Sequence, residues 1–197
     1  MSRTLLIGTV AVSFLAFFIA GLGGSLAQVN QAVADGEWWR LLTAGLVHAD
    51  FIHLGINMYA LYLLAPTLER SILGERGLVA TYVASIAAGG AFAFLFLDPT
   101  TTAVGASGGI SGLVGVFVAF ALARRIEPLL RQLLFVIAIN VALPFLIPNI
   151  AWQAHVGGFL AGLLIAGGAF LAGPDRQERV LLVGSVAVTA AAVLAVF

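Results

Sequence analysis

A serine and a histidine set in apolar chain are the residues of this protein best suited to chemistry. Ser107 stands in Gly105-Ala106-Ser107-Gly108 at the start of one apolar run, and His155 stands near the start of another. A serine hydroxyl becomes a competent nucleophile when a neighbouring imidazole takes its proton. Each residue also has a plainer reading: Gly-x-Ser-Gly alone is a helix-packing motif, and a lone histidine on an apolar helix is a packed core residue. Their neighbours favour chemistry. His53 and Asn57, four residues apart and so on one helical face, begin a third run, and at ~1.5 Å per residue all four groups fall at a similar depth. Polar groups inside a membrane are costly and are retained where they have a task. A metal site is disfavoured, because His48 and His53 point roughly 140° apart on a helix and no carboxylate accompanies them as in His-Glu-x-x-His.

The elements that must position these groups are membrane helices. With 61% hydrophobic and 9% charged residues and a mean hydropathy of +1.10, the composition is that of an integral membrane protein. Seven apolar runs follow one another: Leu5–Ala27, Phe51–Thr67, Gly77–Leu97, Ser107–Ala123, Gln132–Pro148, Trp152–Ala172 and Val180–Phe197. Each is close to the ~20 residues a helix needs to cross hydrocarbon. With the N-terminus inside, Arg3, Arg70, Arg76, Arg124, Arg125, Arg131, Arg176 and Arg179 all face the cytoplasm and Arg40 alone lies outside. The positive-inside rule therefore predicts N-in and C-out. The spans that open with His53, Ser107 and His155 then all enter from outside.

A net charge of zero gives no argument for nucleic acid. The absence of cysteine excludes disulfides, thiol nucleophiles and thiolate metal sites. Arg3, the following apolar run and Ser25-Leu26-Ala27 resemble a cleavable secretory signal, but the run from Leu5 to Leu22 is longer than a usual signal core and reads as an anchor that stays. No loop has room for a soluble domain, so residues 1–197 read as a single membrane domain. The longest loop, Gln28 to Asp50, carries Glu37-Trp38-Trp39-Arg40, which suits the lipid interface. The loop from Asp98 to Ala106, with Pro99 and Thr100-Thr101-Thr102, reads as irregular backbone that must face protein or water. Beyond it Gly105, Gly108, Gly109, Gly112 and Gly115 strip bulk from the fourth helix and let neighbouring backbones approach.

Four signatures now stand in order: Trp39-Arg40 in the first outer loop, His53 with Asn57 in the second span, Gly105-Ala106-Ser107-Gly108 at the fourth, and His155 followed by Gly157-Gly158 in the sixth. Together they resemble the rhomboid intramembrane serine proteases, and the resemblance runs from Glu37 to Gly162. It implies an all-α polytopic fold. A six-helix rhomboid-like bundle, about residues 5–172, would surround a water-filled cavity open to the outside, and a seventh C-terminal span, about residues 180–197, would extend it.

For the chemistry, the resemblance implies that Ser107 attacks a peptide carbonyl with His155 as its general base. No acidic residue lies mid-span, so a Ser-His dyad is expected rather than a triad. His53, Asn57 and the Ser107 backbone amide would stabilise the oxyanion, with Gly105, Gly108, Trp39, Arg40 and His48 in support. Substrates would be single-pass transmembrane proteins whose helix unwinds near the outer surface, and no cofactor, metal or nucleic acid is called for. The expected setting is the lipid of a prokaryotic cell membrane, crossed several times, with the N-terminus cytoplasmic and the active site opening to the extracytoplasmic side.

Gly109-Ile110-Ser111-Gly112 repeats the serine motif one turn deeper. Ser107 is preferred because it lies at the loop-to-helix junction, where water and substrate arrive. Many family members carry an aromatic residue at the position of Ser111, packed on the catalytic imidazole, so a different device must orient His155. Two other function classes remain: a proteolytically inactive rhomboid-like protein that binds transmembrane clients, which typically lacks the serine or the histidine, and a small-solute transporter, which calls for inverted repeats.

Overall fold

Within lipid a chain can satisfy its backbone polar groups only by forming helices or a closed barrel. The structure, a computed structural model that describes residues 1–146 and 151–197, is almost wholly helical. In chain order its helices are α1 (Ser2–Phe18), α2 (Leu22–Leu26), α3 (Asn30–Ala34), α4 (Arg40–Thr43), α5 (Phe51–Leu68), α6 (Gly74–Phe96), α7 (Ser107–Arg124), α8 (Glu127–Leu146), α9 (Trp152–Ala172) and α10 (Pro174–Leu194). Two short strands, β1 (Gln28–Val29) and β2 (Thr102–Ala103), pair antiparallel, with Gln28 opposite Ala103 and Val29 opposite Thr102. Among the described residues, four helical stretches are long and apolar enough to cross a membrane: Phe51–Phe96, Ser107–Arg124, Trp152–Ala172 and Pro174–Leu194. The chain is a multi-pass, all-α integral membrane protein.

The helices that open with site residues begin where the apolar runs predict, at Phe51, Ser107 and Trp152. Others differ for local reasons. The first run does not continue as one helix to Ala27: α1 stops at Phe18, and Gly21 takes φ +80° in the turn that leads to α2. A left-handed turn of this kind costs glycine little, whereas glycine weakens a helix interior. The last helix starts at Pro174 rather than Val180, because Gly173 (φ +84°) breaks the chain from α9 and proline suits a first helical turn. The fifth run likewise starts early, at Glu127, and its expected end at Pro148 lies outside the described residues. In both helices an acidic residue sits in the first turn, Asp175 or Glu127, where the helix dipole favours it although hydropathy does not register it. The second outer loop, expected as irregular backbone, contains the short strand β2. The first contains α3, α4 and a 3-10 turn, Ala44–Leu46, and β1 joins it to the second.

Glycine decides how the core helices meet. A Cβ placed on Gly158 would strike the Gly108 carbonyl, one on Gly162 the Gly112 carbonyl, and one on Gly115 the Phe159 carbonyl. The first two pairs advance together along α7 and α9, so the two helices run parallel with their backbones in contact. On the other side, Gly109 meets Tyr82 and Ile86, and Gly112 meets Ser85, as α6 passes in the opposite direction. Leu61, Leu68, Leu78 and Leu113 fill the bundle centre beside this contact. The two kinds of glycine on α9 should therefore behave differently. Gly158→Ala should lower the thermal stability of the detergent-solubilised protein by about 1–3 kcal/mol, the scale of overpacking. Gly167→Ala, where nothing lies within 4 Å, should be neutral or slightly stabilising. Equal effects at the two positions would contradict the backbone contact.

Candidate active site

The first turns of α5, α7 and α9 meet at one end of the bundle. Asp50 starts α5: its side chain accepts from the His53 amide at 2.8 Å, a helix-capping bond that places His53 in the first turn. The chain enters α7 through Gly105, whose φ of +119° suits glycine alone, and through Ala106 as N-cap. The α7–α9 contact then sets the reach between Ser107, one residue before Gly108, and His155, one turn before Gly158. Ser107 Oγ and His155 Nε2 lie 2.9 Å apart, within a hydrogen bond. The other ring nitrogen of His155, Nδ1, is buried with no partner among the described residues. Ser111 sits one turn further along α7, buried in the core.

His53 flanks the serine from the α5 side. A Cβ on Gly105 would fall 2.7 Å from His53 Cε1, 2.8 Å from its Nε2 and 3.8 Å from Ser107 Oγ, so the missing side chain lets imidazole and hydroxyl share the same space. Asn57 is buried one turn deeper, and its Nδ2 donates to the His53 carbonyl at 2.9 Å. That uses one of its two amide hydrogens and leaves the other. Together the first turns of α5, α7 and α9 present helix N-termini, which favour developing negative charge.

The remaining predicted residues act on the loops. His48 is buried in the loop ahead of α5, with its ring 5.0 Å from that of His53, and its Nε2 accepts from the Ala106 amide at 3.3 Å. Arg40 makes no hydrogen bond to Ser107 or His155. It pairs with Glu37 at 2.6 Å and donates to the carbonyls of Gly24 at 2.7 Å and Ala27 at 2.6 Å, closing the end of α2. Trp39 lies half-exposed beside Trp38, as an interfacial anchor does. Gly108 serves the α7–α9 contact.

Sequence reasoning missed two partners. One is the Ala44 carbonyl, which accepts from the Gly105 amide at 2.9 Å. The other is Ser13 of α1, fully buried, whose Oγ lies 2.9 Å from His48 Nδ1. Ser13 carried a signal, a polar side chain inside an apolar span. A main-chain carbonyl carries none.

The Rhomboid domain family matches residues 35–171. YdcA of Bacillus subtilis (strain 168), named as a candidate rhomboid protease, is 36% identical over 153 residues, which cover 76% of this chain and 75% of that protein. The rhomboid protease GluP of the same organism is 32% identical over 170 residues, 80% of this chain and 33% of GluP. RHOMBOID-like protein 2 of Arabidopsis thaliana is 37% identical over 143 residues, 69% of this chain and 44% of that protein. The chain thus spans most of the first of these relatives and less than half of the other two.

The burial of His48 has a consequence that pH can read. Burial, reinforced by the His53 imidazole and opposed by Asp50, pushes its pKa from 6.5 down to about 4. The folded protein therefore refuses a proton that the unfolded chain accepts between those values. This contribution to stability is fully present above the ordinary histidine range and is lost as the pH falls towards the folded value. Thermal unfolding followed from about pH 7 to about pH 4 should thus fall more steeply for the wild type than for His48→Gln. Parallel curves would contradict a neutral, buried His48.

Proposed function

The chain belongs to the rhomboid family, and on that footing we propose that it is an intramembrane serine endopeptidase that cleaves transmembrane segments of single-pass membrane proteins with a Ser107–His155 dyad. The observation that carries this reading is the 2.9 Å separation of Ser107 Oγ and His155 Nε2. In the reaction, Oγ attacks the scissile carbonyl while Nε2 takes its proton. The tetrahedral intermediate collapses as the imidazolium returns that proton to the leaving amine, and water then releases the acyl group by the same route in reverse. His155 Nδ1, which has no partner among the described residues, supports a dyad. Packing between α7 and α9, rather than an aromatic ring at Ser111, then holds the imidazole in place.

The oxyanion would be met by the Ser107 amide, the His53 imidazole and the remaining N–H of Asn57. A preorganised donor of this kind is worth about 2.7–4 kcal/mol in the transition state. The cavity is read as opening to the extracytoplasmic side. Arg70, Arg76, Arg124, Arg125, Arg131, Arg176 and Arg179 gather at the other end of the helices, whereas Arg40 shares the loop region of the site. In this layout α1, α5, α6, α7, α8 and α9 make the six-helix core and α10 is the seventh span. A substrate helix must unwind locally, because a helix shields its own peptide bonds. The site needs no cofactor.

Purified protein in detergent should cleave a single-pass test substrate without added metal or nucleotide. Ser107→Ala and His155→Ala should each abolish cleavage, and Asn57→Ala should lower turnover by about 10²–10³-fold with the fold intact. Full activity in both dyad variants would sink the protease reading. Unchanged turnover in Asn57→Ala would remove that residue from the oxyanion site. A client-binding protein without protease activity would retain the substrate in pull-down but yield no fragments.

A further inference from the structure

Ser13 is a polar residue of the apolar helix α1 with no exposure at all. Its surroundings allow one arrangement of protons. Its Oγ donates its single hydrogen to the Leu46 carbonyl at 2.9 Å, so toward His48 Nδ1, also at 2.9 Å, it can only accept. Across the ring, His48 Nε2 faces the Ala106 amide at 3.3 Å, and because an amide is a donor Nε2 must offer its lone pair. Two independent contacts thus demand the same tautomer, with hydrogen on Nδ1 and the lone pair on Nε2. In the opposite tautomer Nε2–H would oppose the Ala106 N–H in a buried setting, and both donors would be left unsatisfied.

The relay ends next to the reacting serine. The Gly105 amide is committed to the Ala44 carbonyl at 2.9 Å and the Ala106 amide to His48. Ser107 therefore supplies the first amide of this turn that has no acceptor among the described residues. We propose that Ser13 is a positioning residue for Ser107: it holds His48 in the Nδ1–H tautomer, which fixes the Ala106 peptide and so leaves the Ser107 hydroxyl turned to His155 and its amide turned to the oxyanion. The kinetic consequence rests on the protease reading; the tautomer does not.

A double-mutant cycle separates action through His48 from general loosening of α1. Ser13→Ala should lower kcat on a single-pass test substrate about tenfold, the scale of one neutral hydrogen bond, with KM unchanged. In a His48→Gln background, where the glutamine carbonyl oxygen can accept from Ala106 without help, Ser13→Ala should cause no further loss. An equal loss in both backgrounds, no loss in either, or a change in KM alone would overturn the proposal. If the wild type itself fails to cleave, the protease reading falls, and the tautomer is judged by histidine-selective ¹⁵N NMR at neutral pH, with His48 assigned from His48→Gln. The wild type should show His48 protonated on Nδ1, and Ser13→Ala should show a mixture of tautomers. Hydrogen on Nε2 in the wild type would overturn the proposal whatever the enzyme does.

Discussion

The contact of two backbones, made possible where Gly108 and Gly112 lie against Gly158 and Gly162, is the constraint on which the rest of this structure depends. Lipid offers no hydrophobic drive for helices to associate, so close van der Waals packing of small residues must hold them. Here that packing does more than hold. It fixes α7 and α9 parallel and at one register, and the residues just outside the contact, Ser107 and His155, inherit their 2.9 Å separation from it. A Cβ on Gly112, Gly158 or Gly162 would strike a neighbouring helix and disturb the register that brings Ser107 and His155 together. The same need for close approach recurs at Gly89 and Gly157, where a Cβ would strike the carbonyls of Ala154 and Ala88 across α6 and α9.

A second set of bonds controls the chain as it arrives at Ser107. The first outer loop holds the second through the β1–β2 pair, through the Gln31 amide to the Pro99 carbonyl at 2.9 Å, and through Ala44 and His48 on the Gly105 and Ala106 amides. The first loop is itself tied to the helices. Asn30 Nδ2 donates to the Ala93, Phe94 and Leu97 carbonyls and closes the end of α6, Gln28 donates to the Gly90 carbonyl, and Arg40 closes α2. Non-helical chain leaves many backbone polar groups to satisfy, and these side chains satisfy several of them. The loop that carries Trp39 and Arg40 is therefore a scaffold for the turn that leads into Ser107, with its tryptophans exposed.

What was legible in the sequence follows from which physics leaves a mark on residue type. Lipid demands apolar length, so a multi-pass, all-α chain was readable, and a loop-to-helix junction demands small or capping residues, so the starts at Phe51 and Ser107 were readable. Ser107, His155, His53 and Asn57 stood out because polar groups in lipid are costly. Helix ends bearing charge were misplaced: Pro174 to Arg179 and Glu127 to Arg131 are helical, but a hydropathy reading stops at the first charge. The break at Gly21 was overlooked because glycine is common in apolar runs and only some glycines turn the chain. The β1–β2 pair and the Ala44 carbonyl rest on backbone groups that every residue has. Ser13 was readable by the same cost argument as Ser107 and was passed over because no motif surrounds it.

The central claim is that the α7–α9 contact activates one serine and no other. It is tested most directly by treating the purified protein with a fluorophosphonate and locating the adduct by mass spectrometry across every serine in the chain, since only a hydroxyl with a base in place reacts quickly. The account predicts an adduct on Ser107 alone, formed in the wild type and absent in His155→Ala. An adduct on Ser111, or undiminished labelling of Ser107 without His155, would contradict it.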